Sequence, residues 1–447
     1  MTKKISNWGN YPSIDGELYK ISEASQARSL IEDCESVIAR GLGRCYGDSA
    51  LAHAMLSMPS YNLITAFDEN TGRITCQAGV SLEELLDIFV PRGWFPPVTP
   101  GTKHITVGGA IAADVHGKNH HVEGSFCRHV ESLRLMLPSG ETVECSREEN
   151  KELFEITCGG MGLTGLILSA SFKLRPIESA YIREETILAR NLDEIMGLFE
   201  ESTDWTYSVA WIDCLAKGMD LGRSVMMRGE HAGKADLDAK RSVAPLKLKG
   251  GLNLTVPFNM PSFSLNNLTV SVFNYLIYHK YKNETLISDY NTFFYPLDSI
   301  ANWNRIYGRR GFTQYQCVLP KGASHEGMQK ILTRISASGM GSFLAVLKLF
   351  GAQDDFISFP MEGYTLALDF PINKRLFPLL DELDEIVLDH GGRLYLAKDA
   401  RMTAETFQNS YGNAKEFSRR IAEIDPQQKF RSLQSDRLGI TEKEELT

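Results

Sequence analysis

The chain has 447 residues, about twice the length that one hydrophobic core usually supports, so we expect two domains. Its formal net charge of −9 argues against nucleic-acid binding, because a phosphate backbone attracts clustered lysine and arginine. No apolar run approaches the roughly 18 residues of a membrane-spanning helix, and the polar first residues argue against a secretory signal. The eight cysteines are scattered without a CxxC pair, which favours reduced thiols in a cytosolic protein.

The first third of the sequence predicts short strands separated by glycine turns. Residues 61–66 and 73–78 enclose an Asn-Thr-Gly turn and predict one hairpin. Residues 129–137 and 141–145 enclose a Pro-Ser-Gly turn and predict a second. Between the hairpins, residues 81–90 predict a helix, since their large apolar side chains fall on one face and a Ser-x-x-Glu capping box begins the pattern.

The last third follows a different pattern. It predicts a strand, a helix, two strands, a helix and a final strand, at residues 314–320, 324–336, 343–350, 364–370, 374–390 and 393–397. This β-α-β-β-α-β order is typical of a ferredoxin-like antiparallel sheet. No comparable run is evident earlier, so we place a domain change between residues 175 and 200, with Arg175-Pro176 as the crossing point.

Residues 244–282 combine basic side chains with leucine, phenylalanine, valine, methionine and tyrosine. One interpretation is a loop and a helix packed on the second domain. The other is an apolar, basic surface that contacts membrane lipid or a lipid-linked substrate. The sequence alone does not decide between the two.

The strongest local motif is ARGLGRCYGDSA at residues 39–50. Gly41, Gly43 and Gly47 allow tight curvature, which lets consecutive amides point inward and bind an anion. The motif follows the apolar pair Val37-Ile38, as expected for a loop that leaves a strand. It matches neither the GxGxxG of a Rossmann helix nor the GxxxxGK[ST] of a P-loop, and an ordinary glycine-rich turn is the alternative.

Two further glycine-rich segments favour a bound cofactor. In the first, residues 107–113 carry almost no bulky side chains, which suits backbone lying against a flat aromatic ligand. Three histidines follow in HxxxHH spacing without the carboxylate of a known ligand pattern, so we interpret them as a polar rim around a cofactor and expect no metal. Residues 158–170 form the second segment. Three such segments in one domain predict a large dinucleotide held mostly by main chain.

These motifs resemble those of the vanillyl-alcohol-oxidase class of FAD proteins, and within it the branch that oxidises polyprenylphosphoryl-ribose. The resemblance covers residues 40–401 and is carried by RGLGRCYGD, PGTKHITVGGAIAADVHGKNHH, GGMGLTGLI, YSVAWIDC, FFYPLDSIANWNRIYGRRGFTQYQCVLP, FLAVLKLFG, ISFPMEGYTLALDFPI and GRLYLAKDAR. It implies a two-domain α+β fold of the PCMH type. Residues 1–177, completed by 393–447, are then expected to bind FAD. Residues 178–392 are expected to form an antiparallel-sheet substrate domain, with 244–282 as a mobile segment.

The resemblance also implies which residues contact the cofactor. The first loop is expected to cradle the FAD pyrophosphate, and the other residues to lie along FAD or close to it: Arg40, Gly41, Leu42, Gly43, Arg44, Cys45, Tyr46, Asp48, Thr102, Gly108, Ala113, His116, Gly117, Asn119, Ile167 and Tyr395. Many relatives attach FAD through a histidine in the first loop. Arg44 stands at that position here, so we expect non-covalent FAD.

The implied reaction takes a hydride from C2′ of a phospho-ribose to the flavin, and the hydroxyl proton needs a base. Lys398 is the first candidate, because a partly desolvated lysine has a lowered pKa, and His116 is the second. The other residues expected around the substrate are Lys118, Trp211, Gln314, Gln316, Lys348 and Ala367. Ala367 replaces a cysteine of the family's pocket that takes no part in hydride transfer.

The resemblance therefore implies the first half of a 2′-epimerisation that yields polyprenylphosphoryl-arabinose for cell-envelope glycans. A separate NAD-dependent keto-sugar reductase of the short-chain dehydrogenase type is the implied partner. The expected location is the cytoplasm, with a peripheral contact at the inner face of the membrane. Two alternatives are an aldonolactone or alditol oxidase acting on a soluble sugar, and a flavin-binding protein without catalytic activity.

Overall fold

The computed structural model describes residues 2–248, 254–261 and 265–441. Up to residue 176, the chain forms short strands and helices. The strands are β1 Lys3–Ser6, β2 Ser13–Lys20, β3 Ile38–Arg40, β4 Ala54–Ser57, β5 Ile64–Asp68, β6 Arg73–Gln77, β7 Trp94–Phe95, β8 Val130–Met136, β9 Thr142–Ser146, β10 Leu166–Lys173 and β11 Arg175–Pro176. The helices are α1 Ala24–Asp33, α2 Leu82–Phe89, α3 Val107–Ala112, α4 His120–Glu123 and α5 Lys151–Thr157.

Two sheets support this part of the chain. The first has the order β1-β2-β4-β3, and the second is antiparallel in the order β5-β6-β10-β8-β9. Both predicted hairpins are confirmed, with Gly72 and Gly140 at positive φ in their turns. The predicted helix is confirmed as α2, and its capping box forms: the Glu84 N–H donates to Ser81 Oγ at 3.1 Å, and the Ser81 N–H donates to Glu84 Oε2 at 2.7 Å.

The rest of the chain builds one large sheet and the helices that cover it. The strands of this part of the chain are β12 Tyr181–Ala189, β13 Tyr207–Ile212, β14 Ser224–His231, β15 Leu254–Thr255, β16 Glu284–Asp289, β17 Ile300–Ala301, β18 Phe312–Pro320, β19 Ala345–Phe350, β20 Gly363–Pro371 and β21 Arg393–Leu394. Of these, β15 and β17 pair in parallel with each other, outside the large sheet. The helices of this part are α6 Leu192–Glu200, α7 Ala239–Ser242, α8 Asn267–Lys280, α9 Tyr290–Phe294, α10 Ser324–Ser338, α11 Leu376–Asp389, α12 Ala404–Ser410, α13 Ala414–Ile424 and α14 Leu433–Arg437.

The large sheet has eight antiparallel strands in the order β16-β12-β14-β13-β19-β20-β18-β21. The predicted β-α-β-β-α-β run is confirmed as β18, α10, β19, β20, α11 and β21. The expectation that no comparable run precedes it is wrong. Strands β12, β13, β14 and β16, with α6, repeat the same neighbour order, and the two units meet at β13 and β19. Residues 232–283 are inserted before β16, which hides the repeat in the sequence.

The predicted strand at 393–397 is too long, because β21 ends at Leu394. The Tyr395 N–H still donates to Gln316 O at 2.9 Å, but the chain then turns, with the Lys398 N–H donating to Tyr395 O at 2.9 Å. Residues after this turn return to the first sheet, where Phe430 forms a bridge beside Val37. The domain limits at 177/178 and 392/393 stay a prediction.

The two faces of the large sheet have different neighbours. Alternate residues such as Leu347, Leu366 and Cys317 belong to an apolar core that also contains side chains of α6, α10 and α11. Directly paired residues share a face, so the residues between them in sequence, such as Lys348 and Gln316, lie on the opposite face. This opposite face carries the polar side chains.

Segment 244–282 is only partly described, since residues 249–253 and 262–264 lie outside the described residues. Its main element is α8, and the predicted mobility of the segment stays a prediction. No helix in the described ranges has the length and apolar character needed to cross a bilayer.

Candidate active site

The loop after β3 presents backbone amides without protein partners. No acceptor among the described residues receives a hydrogen bond from the N–H groups of residues 41–45. A side chain would not fit at two positions of this loop: a Cβ atom on Gly41 would lie 2.4 Å from Thr106 Oγ1, and one on Gly47 would lie 1.6 Å from Asp399 O. Successive free amides in a curved loop form an anion site. The loop therefore has the donors that a pyrophosphate needs.

The Arg40 side chain holds this loop in place. Its guanidinium donates to Asn7 Oδ1, to Ser6 O at 2.9 Å and to Ala50 O at 3.1 Å. The guanidinium thus already forms three hydrogen bonds to protein acceptors. The Arg40 guanidinium is therefore occupied within the protein. The main-chain amides that follow it in the loop stay available to a cofactor.

The other charged side chains of the loop are also engaged. Asp48 accepts hydrogen bonds of 2.7 and 3.0 Å from Arg437, which also donates to Asp399 at 2.8 Å. The guanidinium carbon of Arg44 lies 3.9 Å from the centre of the Trp8 ring. Four predicted residues of the loop remain. The Leu42 side chain is exposed, and the Tyr46 side chain is buried. Gly43 has a φ of +64°, and the Cys45 carbonyl accepts a hydrogen bond from the Trp8 N–H.

Helix α3 brings main chain close to the first sheets. Thr106 caps it, with the Gly109 N–H donating to Thr106 Oγ1 at 3.2 Å. The Gly108 N–H donates to Ala78 O at 2.8 Å, and a Cβ atom on Gly108 would lie 2.9 Å from Ala78 Cβ. Glycine at position 108 is therefore required by close packing within the protein.

Three predicted cofactor contacts on either side of α3 also bond within the protein. The Thr102 hydroxyl donates to both carboxylate oxygens of Asp298, at 2.8 and 3.0 Å. The Asn119 amide donates to Pro97 O at 2.8 Å, and a Cβ atom on Gly117 would lie 2.6 Å from Asn119 Oδ1. These residues shape the segment, and their direct contact with a cofactor stays a prediction.

The three histidines of this segment have separate partners. His120 Nε2 lies 2.8 Å from Gln353 Oε1, His121 Nε2 lies 2.8 Å from Trp205 O, and His116 turns to the large sheet. Within the part of the chain that the structure describes, no three histidine, cysteine, aspartate or glutamate side chains are placed to hold a metal ion.

His116 is a neutral donor in this environment. The Gln316 amide donates to His116 Nε2 at 3.0 Å and to Thr365 Oγ1 at 3.3 Å, while the Thr365 hydroxyl donates to Cys317 O at 2.8 Å. Burial lowers the pKa of His116 well below its usual value, so the ring is neutral and its proton lies on Nδ1. His116 Nδ1 is buried and has no partner among the described residues. His120, His121 and His231 also have buried ring nitrogens without a described partner, but of the four only His116 is bonded to Gln316 on the polar face of the large sheet.

Aromatic rings surround this histidine. The Tyr395 ring lies 5.1 Å from His116 and 4.6 Å from Phe359, and its hydroxyl donates to Ala113 O at 2.9 Å. Ile167 lies deeper, in the apolar core that also includes residues of α3. Tyr395 therefore contacts both Ala113 and His116, whereas Ile167 belongs to the apolar core.

The register of the large sheet collects the predicted substrate residues on one face. Ala367 pairs with Gln316 and with Val346, and Val346 pairs with Trp211. Gln314 lies two residues from Gln316 in β18, and Lys348 lies two residues from Val346 in β19, so both are on the same face. The Trp211 indole N–H already donates to Phe343 O at 3.0 Å. Their contacts with a substrate stay a prediction.

Three lysines concentrate positive charge in this region. Lys118 Nζ donates to Phe293 O, and Lys398 Nζ lies 4.0 Å from the centre of the Tyr46 ring. Burial lowers the pKa of Lys118 and Lys398 to about 8. Burial, followed by the charges of the other two lysines, lowers the pKa of Lys348 to about 7. None of the three forms an ion pair with a described carboxylate, which leaves the cluster ready for an anion.

Asp369 lies on the polar face of the large sheet and was not among the predicted site residues. It is 1% exposed, pairs with Gln314 in the sheet register and lies on the same face as Ala367. The available signal was its period-two spacing from Thr365 and Ala367, because a charged residue on the polar face of a buried strand is unusual. Burial raises the pKa of its carboxyl to about 7.

The arrangement fits FAD. The free amides of residues 41–45 suit a pyrophosphate, and the buried Nδ1–H of His116 suits a polar atom of a flavin or of a sugar beside it. The aromatic rings around His116, and the small residues of α3 that are not buried, Gly108, Gly109 and Ala112, suit a flat ring system.

Comparison with known proteins supports this assignment. An FAD-binding-domain family model matches residues 22–146, which include the amide-rich loop and α3. The chain is 39% identical to decaprenylphosphoryl-beta-D-ribose oxidase of Mycolicibacterium smegmatis, over 98% of each chain. It is also 31% identical to an uncharacterized protein of Streptomyces coelicolor, over 81% of this chain and 100% of the relative.

More distant similarities cover less of the chain. L-gulonolactone oxidase of Scyliorhinus torazame is 24% identical over 44% of this chain and 45% of its own length. The full-length similarity to the Mycolicibacterium enzyme and the matched FAD domain confirm the expected cofactor and the two-domain α+β fold. The chain belongs to the decaprenylphosphoryl-β-D-ribose oxidase family, and it is an FAD-dependent oxidoreductase.

Proposed function

We propose that this protein oxidises the 2′-hydroxyl of a polyprenylphosphoryl-β-D-ribose to the 2′-keto sugar, the first half of a 2′-epimerisation that feeds cell-envelope glycan synthesis. The observation that carries the proposal is the cluster of Lys118, Lys348 and Lys398, whose positive charges lack a described carboxylate partner. A sugar phosphate supplies the missing negative charge. A neutral lactone or alditol leaves these partly buried charges unpaired, which is unfavourable. The name of the Mycolicibacterium relative agrees with this choice.

Lys398 is the base in the proposed reaction. Bound FAD supplies the hydride acceptor. The Lys398 amine, with its pKa lowered to about 8 by burial, is partly unprotonated near neutral pH and accepts the hydroxyl proton. His116 is less suitable, because Gln316 already donates to the Nε2 lone pair. His116 instead donates from Nδ1, which orients the flavin or the sugar.

The other residues bind and orient. Lys118 and Lys348 are proposed to hold the phosphate, since lysine is an effective point-charge partner for phosphate. Gln314, Gln316 and Ala367 line the sheet face against which the sugar would lie. FAD is proposed to be non-covalent, because Arg44 occupies the position of the attachment histidine and its side chain packs on Trp8. Acid precipitation of the purified protein should therefore release FAD into the supernatant.

Substrate comparison tests the proposed function. We expect reduction of the bound flavin by farnesylphosphoryl-ribose under anaerobic conditions, and little reduction by L-gulono-1,4-lactone or free ribose. Reduction by the lactone and not by the phospholipid sugar would support the soluble-sugar oxidase instead. Flavin that no sugar reduces would favour a binding protein without catalytic activity.

We further propose that a separate NAD-dependent reductase of the short-chain dehydrogenase type reduces the 2′-keto product. A lipid-linked keto sugar stays at the membrane, so both proteins would work at its cytoplasmic face. This location requires a peripheral lipid contact, and the apolar, basic segment 244–282 is the proposed contact.

Helix α8 supports this lipid contact. Leu268, Val272, Tyr275 and Leu276 repeat at helical spacing and are 72%, 50%, 53% and 60% exposed. The basic residues His279, Lys280 and Lys282 follow at its end and suit an anionic lipid surface. On its other side, Phe273 lies 5.5 Å from Phe343, whose carbonyl accepts the Trp211 indole N–H. The exposed apolar face is therefore close to the predicted substrate face.

Replacing Val272 and Leu276 together by glutamate is expected to weaken vesicle binding at least tenfold, because two side chains that would enter the lipid become charged. Co-sedimentation with phosphatidylglycerol–phosphatidylethanolamine vesicles measures this. Leu63→Glu, at an equally exposed leucine on the first domain, is the matched control and should bind like the wild type. Equal binding of the double variant and the control would contradict the assignment of α8 as the lipid contact.

A further inference from the structure

We propose that Asp369 is a positioning residue that acts through Lys398 and sets the pH range in which this amine accepts the substrate proton. The inference rests on the proposed function, because it requires Lys398 to be the base of the oxidation. Asp369 itself is not expected to touch the reacting atoms.

The Asp369 carboxylate is held without a cation. One of its oxygens accepts a 2.6 Å hydrogen bond from the Gln314 amide, and the other accepts a 3.4 Å hydrogen bond from the Tyr307 hydroxyl. No lysine, arginine or histidine nitrogen lies within 4 Å of it in residues 2–248, 254–261 and 265–441. A fully buried carboxylate without an ion pair is costly, so its presence calls for a functional reason.

Three other buried aspartates are paired with an arginine. Asp48 pairs with Arg437, Asp213 with Arg223, and Asp384 with Arg401. These aspartates are 2–4% exposed, comparable with the 1% of Asp369. Asp114 and Asp425 are also fully buried and form no ion pair within the described residues, so Asp369 is distinguished by its place on the sheet face that carries Lys348 and Ala367.

The neighbours of Asp369 lead to Lys398. The Tyr307 hydroxyl donates to Asp369, the Tyr307 ring stacks on Phe312 with centres 4.2 Å apart, and Phe312 meets Tyr46 edge-on at 5.2 Å. The Tyr46 ring carries Lys398 Nζ at 4.0 Å from its centre. Asp369 and Lys398 therefore belong to one cluster around the Tyr46, Phe312 and Tyr307 rings, without an ion pair between them but with interacting charges.

The pKa shifts of the two groups agree with this geometry. Burial raises the pKa of Asp369 to about 7, and the charge of Lys398 opposes that rise. Burial lowers the pKa of Lys398 to about 8, and the charge of Asp369 opposes that fall. The other titratable groups facing the pair are Tyr46 and Cys45 from the loop after β3, His116 from the segment before α4, Tyr307 from the segment before β18, and Lys348 of β19.

The Asp369 charge acts on the step in which the substrate hydroxyl loses its proton. The substrate O–H bond breaks and its proton moves to Lys398 Nζ. The C2′–H bond breaks and its electron pair leaves with the hydrogen as hydride to FAD, while the C2′–O bond becomes double. Lys398 becomes a buried cation in this step, and the nearby Asp369 carboxylate stabilises it.

Asp369→Asn tests the inference through the pH dependence of flavin reduction by farnesylphosphoryl-ribose under anaerobic conditions. In the wild type the rate rises with pH as Lys398 loses its proton. Without the carboxylate the ammonium form is less stable, so this rise should move to lower pH by about 1–2 units. KM should change little. Asp369→Glu, which retains the charge, should restore the rise toward its wild-type position.

Asp384→Asn is the matched control, since it removes a buried carboxylate that pairs with Arg401 instead of facing Lys398. It should keep the wild-type pH profile even if stability falls. An unchanged profile in Asp369→Asn, with only a lower rate at every pH, would show a purely structural role and overturn the inference. Asp369→Ser provides the same test if the asparagine variant does not hold FAD. Wild-type flavin that this substrate does not reduce would overturn the proposed function itself.

Discussion

Lys398→Met should reduce flavin by substrate about 10²–10⁴-fold more slowly than the wild type while still binding FAD. The substrate hydroxyl then has no base to accept its proton, and His116 cannot substitute because Gln316 donates to its Nε2. Methionine retains most of the packing of the lysine stem against Tyr46. Anaerobic stopped-flow measurement of the flavin absorbance separates this chemical step from flavin reoxidation.

Two lysine variants serve as controls for this result. Lys348→Met should mainly raise KM, because that amine is proposed to hold the phosphate. Lys321 follows β18, is exposed and pairs with Glu200, and Lys321→Met should leave the rate unchanged. The wild-type rate should fall about tenfold per unit as the pH drops below the Lys398 pKa of about 8, since the amine must be unprotonated to act as a base. A Lys398→Met enzyme as fast as the wild type would exclude Lys398 as the base.

Gly41→Ala should weaken FAD binding more than a hundredfold. The added Cβ would lie 2.4 Å from Thr106 Oγ1, so either the amide loop or the cap of α3 has to move. Displacing even two charge-assisted amide–phosphate hydrogen bonds costs about 3 kcal/mol. FAD retained after gel filtration, measured by absorbance relative to protein, reports this change.

Gly101→Ala is the matched control, because a Cβ atom at that exposed position meets no atom within 4 Å. It should retain FAD like the wild type, and circular dichroism should show that both variants fold. Full FAD occupancy in Gly41→Ala would contradict the assignment of residues 41–45 as the pyrophosphate site.

Much of the local structure was predictable from the sequence, because the relevant signals are local. The Ser81–Glu84 capping box and the apolar face behind it determine α2, and glycine-containing turns determine the two hairpins. The run from β18 to β21 alternates strand and helix periods clearly. The glycine-rich loop after β3 was also identifiable, since few residues other than glycine permit such close main-chain packing.

Other features depend on contacts between distant parts of the chain. The first ferredoxin-like unit was missed because residues 232–283 separate β14 from β16, and only the strand pairing reveals the repeat. Strand β21 ends early because the chain turns after Tyr395, where the Lys398 N–H donates to Tyr395 O. The sequence alone left open whether Lys398 or His116 is the base, and our proposal of Lys398 rests on a contact that the sequence does not reveal, between Gln316 and His116 Nε2, 200 residues apart.

Hydride transfer from C2′ of a phospholipid-linked ribose to the bound flavin is the central claim. Stopped-flow reduction of the enzyme by farnesylphosphoryl-ribose, with hydrogen or deuterium at C2′, tests it most directly. We predict that the flavin band bleaches in a single turnover, that deuterium at C2′ slows the bleaching, and that a 2′-keto sugar is formed. Bleaching that is insensitive to deuterium at C2′ but slowed by deuterium at another carbon, or no bleaching at all, would contradict it.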